Sequence, residues 1–269
     1  MLQALAYRPL GYIQRLEDRP PKHAHPMNLR ATYEQLQEIL EGQIEPFEAI
    51  ALVERYRQYF KPREVKVVLL AESHVFTTTE DTGISIPAIA GLPGYPSQYA
   101  KFVYCLGYGE RQLTMAKHHP SRDGTPQFWK IFYSCTNRIE RTEDFSPVLG
   151  STPTQERIRN KVKTLLTIKA NGVWLVDTSV AALYDKGKKH KNMHEALRTS
   201  WRLFTKEAVL SCNPRHVICI GKGVAQSVEG DLRAHLGDRY SVVAQPNAFL
   251  SSEEHMANYL HYSRVCNAW

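Results

Sequence analysis

The chain has 269 residues, 43% of them hydrophobic and 23% charged, a composition that fits a folded globular protein and excludes a disordered or fibrous one. A formal charge of +7 favours a polyanionic partner such as nucleic acid, and neither a membrane-spanning apolar run nor a signal peptide is visible. The five cysteines are odd in number and form no C-x-x-C pair, so they read as reduced thiols of a cytoplasmic protein without a zinc or iron–sulfur site.

Residues 1–28 are rich in proline and positive charge and read as an irregular arm. From Leu29 the spacing of Tyr33, Leu36, Ile39 and Leu40 predicts a helix that stops at Gly42. A second helix fits 46–60, with Phe47, Ile50, Val53, Tyr56 and Phe60 near one face. Both read as a packed flank rather than part of a site. The division expected is therefore a helical extension over 1–60 packed on one compact α/β unit over 61–269.

Residues 65–74 (VKVVLLAESH) are the centre of the pattern. A continuous apolar run ends abruptly in polar residues, as a buried parallel strand does when it delivers side chains to a site at its carboxyl end. The delivered residues are Glu72, Ser73 and His74. A long loop rich in threonine, glycine and proline follows over 77–97, where binding residues are usually placed. Residues 102–108 (FVYCLGY) fit a short strand or a buried helix equally well. Helices are predicted over 127–138 and 154–168, and a second strand over 172–178 (GVWLVDT) brings Asp177 to the same rim. A basic loop, 186–191 (KGKKHK), precedes a helix over 193–204. Strand 216–221, helix 224–236, strand 241–244 and a final helix over 253–265 complete the chain. Strands alternating with helices predict a three-layer α/β/α sandwich with a mostly parallel sheet. The adjacent His118 and His119 have poor geometry for one metal, and no metal or cofactor is expected.

Over about residues 65–262 the order of these segments resembles the uracil-DNA glycosylase superfamily. LLAESH is similar to its first motif, a strand ending in G-Q-D-P-Y-H or G-E-A-P-G, and DGTPQFWKIF resembles the proline-containing loop and helix that touch the DNA backbone. GVWLVDTSVAALY is similar to the G-V-L-L-L-N-x-x-L-T strand, HVICIGKGVAQ to the strand and helix after it, and AQPNAFLSSEEH to the closing H-P-S-P-L-S motif. The chain departs from the pattern at Ala71 (glycine in the family), Asp177 (asparagine), Gln245 (histidine), Asn247 (serine) and Ala248 (proline).

The resemblance implies hydrolytic excision of a base from DNA, by a monomer. Such chemistry needs the base extruded into a pocket, a positioned water and stabilisation of separating charge. Glu72 fits the water position, where a carboxylate orients water and favours a cationic sugar; a strand-end ion pair or helix cap is the plain alternative. Asp177 can accept from the exocyclic amine of a cytosine-type base, where the family's asparagine suits uracil, or it can cap the turn at 179–182. Gln245 can hydrogen-bond the leaving base without supplying a charge. His74 can orient Glu72, bind phosphate or serve structure alone. An aromatic should stack on the base, with Tyr95, Tyr99, Tyr104 and Phe128 as candidates. Lys186, Lys188, Lys189 and Lys191 can neutralise phosphates or form a solvated turn, and Asn247 and Ser251 are candidate phosphate contacts. Phe249 and Leu250 can wedge into the gap left by a flipped base or anchor the last helix. The substrate this suggests is a modified cytosine, such as glucosylated hydroxymethylcytosine in phage DNA excised as an antiviral defence. Alternatives are repair of uracil or damaged bases, a nucleic-acid-binding module without catalysis, and a hydrolase of free nucleosides.

Overall fold

The computed structural model describes residues 28–114, 126–185, 187–246 and 249–268. Helices α1 (Leu29–Ile39) and α2 (Phe47–Tyr59) precede strand β1 (Val67–Ala71) and the short α3 (Thr79–Thr82). Then come α4 (Pro126–Ser134), α5 (Thr154–Ala170) and β2 (Val173–Asp177), followed by a hairpin of β3 (Tyr184–Asp185) and β4 (Lys188–Lys189). The second half holds α6 (Met193–Ser200), a π-helical turn over Trp201–Thr205, α7 (Lys206–Leu210), β5 (His216–Ile220), α8 (Lys222–Leu236), β6 (Tyr240–Val243) and α9 (Ser252–Cys266).

The four long strands form one parallel sheet in the order β2-β1-β5-β6, with Ala71 opposite Asp177 and Leu70 opposite Cys219. Every residue of β1 and β2 is buried, as the continuous apolar runs demand of strands covered on both faces. Alternation sorts the side chains into two layers. Val67, Leu69, Ala71, Val173, Leu175, Ile218 and Ile220 face a core built with α2, α4, α5 and α9. Val68, Leu70, Trp174, Val176, Val217 and Cys219 face Trp201, α7 and α8. The fold is thus a three-layer α/β/α sandwich.

The two N-terminal helices belong to this packing. From α2, Leu52, Val53 and Tyr56, with Phe60 just beyond it, enter the sheet core. Leu36 and Leu40 pack with Ile50, Leu183, Met193 and Leu197 in a third cluster. Residues 102–108 are neither strand nor helix but a run of turns whose side chains from Phe102 to Leu106 are buried. Their purpose is visible at Tyr104. Its ring stacks between Phe60 and Phe132, and its hydroxyl accepts a hydrogen bond from Leu175 N at 2.9 Å. Strand β2 is an edge of the sheet, so this hydroxyl replaces the missing neighbour strand at that position.

Among the described residues no helix is long and apolar enough to cross a membrane, and all five cysteines are free thiols. The fold predicts a specific cost at the β2 edge. Tyr104→Phe keeps the stacked ring but strands the Leu175 N–H, and should lower the unfolding free energy in urea by about 1–3 kcal/mol. An unchanged midpoint would mean that the edge bond contributes nothing.

Candidate active site

The site forms where the sheet reverses its winding. From β1 the chain crosses to β2 on one side, then returns past β1 to β5 and β6 on the other. Loops leaving the carboxyl ends of β1 and β5 therefore diverge and leave a crevice between them. The cleft there has a volume of about 590 Å³ and is walled by residues 72–76, by Gln127 and Phe128 at the start of α4, by Tyr184 and Asp185 of the hairpin, and by Gln245 and Pro246 after β6. That volume lies within the ~300–1,000 Å³ usual for small-molecule sites and exceeds what a pyrimidine ring alone would fill.

The end of β1 is held to the chain that leaves β2. Thr178 donates to Ala71 O through both its N–H and its hydroxyl, at 2.7 Å each, and Ser179 N donates to Glu72 O at 2.9 Å. Leu183 N donates to Ser73 Oγ at 3.3 Å. Glu72 is half-buried on the cleft wall. Glu72 shares the cleft lining with Tyr184, and a side-chain carbon built at Gly223, in the first turn of α8, would stand 3.8 Å from Glu72 Oε1. Gly221, at φ 109°, turns the chain from β5 into α8 in a backbone conformation that other residues rarely adopt.

Beneath the cleft lies a buried ionic cluster. Glu45 is fully buried. Its Oε1 accepts from His74 Nε2 at 2.6 Å and from Ala182 N at 2.9 Å, and its Oε2 accepts from Thr77 N at 2.9 Å. His74 Nδ1 lies 3.5 Å from Asp177 Oδ2, which accepts from an Arg57 amino group at 3.0 Å, and Arg57 also pairs with Glu54. Burial alone would depress the His74 pKa; the Glu45 charge and its hydrogen bond, with the nearby Asp177 carboxylate, overcome it and raise the pKa to about 9. The imidazole is therefore a cation at neutral pH.

Several expectations change here. Asp177 does not line the cleft, and no helix follows it to be capped. Its carboxylate is committed to Arg57 and His74 below the floor. His74 does not orient Glu72; it pairs with Glu45. Of the aromatic candidates only Phe128 lines the cleft. Tyr99 and Tyr104 are fully buried in the core, and the Tyr95 hydroxyl is enclosed between Tyr104 O at 2.8 Å and Leu106 N at 2.7 Å. Ser251 caps α9, its Oγ accepting from Glu254 N while its own N–H donates to Glu254 Oε2, and its exposed hydroxyl keeps its O–H donor. The α1–α2 pair is not only a flank, because Glu45 and Arg57 reach the floor from it.

Other expected residues line the cleft or lie near its lining residues in the chain. Ser73 and Gln245 line the cleft, Phe249 is 96% exposed just beyond Pro246, and Leu250 is half-buried. Lys188 and Lys189 are exposed on β4, whose partner strand β3 lines the cleft, and Lys191 is exposed after it. Lys186, Asn247, His118, His119 and nearly all of the N-terminal arm lie outside the described residues. The sequence reading missed Tyr184, Asp185 and Gln127 on the cleft wall, and Glu45 and Arg57 beneath it. Arg57 did carry a signal, being a charge spaced three and four residues from Phe60 and Val53 on the apolar stripe of its helix. Among the described residues no group of three or more His, Cys, Asp or Glu is placed to hold a metal ion. Compared with models of protein families and with curated proteins, the sequence matches none.

The cluster predicts two measurable effects. Glu45→Gln leaves a buried imidazolium without its partner and should lower the unfolding free energy by about 3–5 kcal/mol in urea denaturation. The second concerns pH. Because the folded pKa of His74 lies above the ~6.5 of an unfolded chain, its stabilisation is complete below about pH 6.5 and is lost as pH rises through about 9. Thermal melts should show this alkaline loss in the wild type and a smaller one in His74→Asn; equal losses would remove His74 as the cause.

Proposed function

We propose that this chain is a monofunctional DNA glycosylase, resembling the uracil-DNA glycosylase superfamily, that extrudes a base into the cleft and hydrolyses its N-glycosidic bond. The observation that carries the reading is the placement of Glu72. A half-buried carboxylate sits at the carboxyl end of the central strand, inside a cleft with room for a base, with an aromatic ring on one wall and an exposed phenylalanine three positions along the chain from the lining residue Pro246.

Each part then has a task. Phe249 enters the duplex as the base leaves the stack, and Phe128 offers a ring for the base to rest on. Glu72 orients the attacking water and favours positive charge at the sugar carbon as the bond breaks. The floor adds to that field, because among the described residues Glu45, Asp177 and Glu54 pair with two cations, His74 and Arg57. The Gln245 amide donates to the departing base. Lys101, on the cleft wall, has its ammonium held on Asp81 at 2.6 Å, which favours hydrolysis to an abasic site over a Schiff base at this lysine. Lys188, Lys189 and Lys191 neutralise backbone phosphates beside the cleft.

With Asp177 committed below the floor, preference for a cytosine derivative rests on space and polarity instead. The outer wall presents Gln127, Thr78 and Asp185, which suit the hydroxyl groups of a bulky substituent such as a sugar on hydroxymethylcytosine. We place this activity on phage DNA, as an antiviral defence, in the cytoplasm, where five unpaired thiols are at home.

Duplexes carrying uracil, cytosine, 5-hydroxymethylcytosine or glucosylated hydroxymethylcytosine, each followed by alkali, test the reading. Breakage should occur at the glucosylated base and fall by about 10²–10⁴-fold in Glu72→Gln. Breakage at uracil alone would exclude the modified cytosine, and tight binding with no breakage would make the protein a binding module. Phe249→Ala should slow excision from a paired duplex about 10-fold while leaving a single-stranded substrate unaffected, since only the duplex must be opened.

A further inference from the structure

We propose that Lys101 is a further catalytic residue of this site, its ammonium taking up the charge that develops on the departing base. This rests on the reading of the cleft as the place where a base is cut from its sugar. When the C1′–N1 bond of a cytosine-type base breaks, its electron pair leaves with the base and spreads from N1 onto the carbonyl oxygen O2. A cationic donor at that oxygen binds the transition state more strongly than the intact substrate, and so lowers the barrier. Gln245, a neutral amide, brings no charge to this task.

Among the described residues lining the cleft, the cations are His74 and Lys101. The His74 side chain has no exposed surface, and its Nε2 is taken by Glu45. Lys101 keeps 18% of its side chain exposed. Of the protons on its ammonium, one goes to Asp81 Oδ2 at 2.6 Å, and the others have no acceptor among the described residues. They are left for a ligand in the cleft.

The lysine is also held in place. Asp81 is buried and accepts from Thr78 N at 2.8 Å, so the carboxylate that holds the ammonium is itself fixed. Lys101 N donates to Thr77 Oγ1 at 3.0 Å, Lys101 O accepts from Val75 N at 3.3 Å, and Thr77 N donates to Glu45 Oε2 at 2.9 Å. Lys101 is therefore anchored to the segment that leaves β1 directly after Glu72, and through Thr77 to the floor. The rotamer freedom that a lysine loses on being fixed is given up before any substrate arrives. In the reaction the base departs with the bonding pair and takes a proton from Lys101. Water adds its oxygen to C1′ and passes a proton to Glu72. Exchange with solvent water then returns both side chains to their starting charge.

A lysine that only ties its loop to Asp81 would act through the ion pair, so the test separates the pair from the charge. On a duplex carrying glucosylated hydroxymethylcytosine, Lys101→Met should lower kcat about 10²–10³-fold, the cost of one donor lost from a developing negative charge, with KM and DNA affinity unchanged. Asp81→Asn breaks the pair but keeps the ammonium, and should stay within about 10-fold of the wild type. Lys101→Arg keeps the charge and should recover at least about 10-fold over Lys101→Met. Wild-type kcat in Lys101→Met, an equal loss in Asp81→Asn, a loss confined to KM and affinity, or no recovery in Lys101→Arg overturns the proposal. Any of these in a wild type that releases the base leaves the glycosylase reading standing. A wild type that releases no base from any of the four duplexes overturns both.

Discussion

Glu45 is the group on which the geometry of the site depends. Its two oxygens bind His74 after β1, Thr77 at the start of the long loop, and Ala182 after β2. Two segments remote in sequence, 74–77 and the chain at 182, converge on one carboxylate that has no access to water. Such a group is tolerable in a low-dielectric interior only when its lone pairs are used and its charge is answered, here by the His74 cation. Asp177 and Arg57 extend the set. It is not fully satisfied, since His74 Nδ1 and Arg57 Nε have no hydrogen-bond partner. A cluster of this kind contributes less to net stability than to uniqueness, because the loops have few other arrangements in which all of these charges are met.

The site consequently divides into a fixed floor and an exposed rim. The floor is the ends of β1 and β2, cross-linked by Thr178, Ser179 and Glu45. The rim is built from shorter elements: the hairpin, the start of α4 and the segment after β6. Apart from Lys101, the groups proposed to touch the base or the phosphates lie on the rim, while Glu72 stands at the junction. This arrangement suits a reaction in which the chemistry needs sub-ångström placement and recognition of a bulky, charged polymer needs reach. The same logic gives the N-terminal helices a functional share. They supply Glu45 and Arg57 to the floor and part of the packing under Tyr184.

The sheet was readable because strands buried on both faces leave continuous apolar runs, as in residues 67–71 and 173–177, and Glu72 was readable as a polar residue ending such a run. The direction of a strand-end side chain was not. Asp177 points to Arg57, 120 positions earlier in the chain, and nothing local to GVWLVDT reveals that pairing. Residues 99–108 defeated the assignment of a stacking aromatic for a related reason. Turns have no period, so no face could be named, and Tyr99 and Tyr104 proved to be core. Tyr184 was missed because a two-residue strand carries no pattern at all. Ser251 was different: S-x-x-E before a helix is a capping signature in plain view, and the capping bond it makes went unread.

Glu72 is proposed to drive hydrolytic release of a base held in the cleft. The most direct test is single-turnover incubation with glucosylated DNA, the small-molecule products being identified by mass spectrometry for the wild type and for Glu72→Gln at equal DNA occupancy. Free modified base is expected from the wild type, and a rate at least about 10²-fold lower from the variant, with no loss of binding. Release of a nucleoside or nucleotide instead of a base, or equal release by the variant, would contradict it.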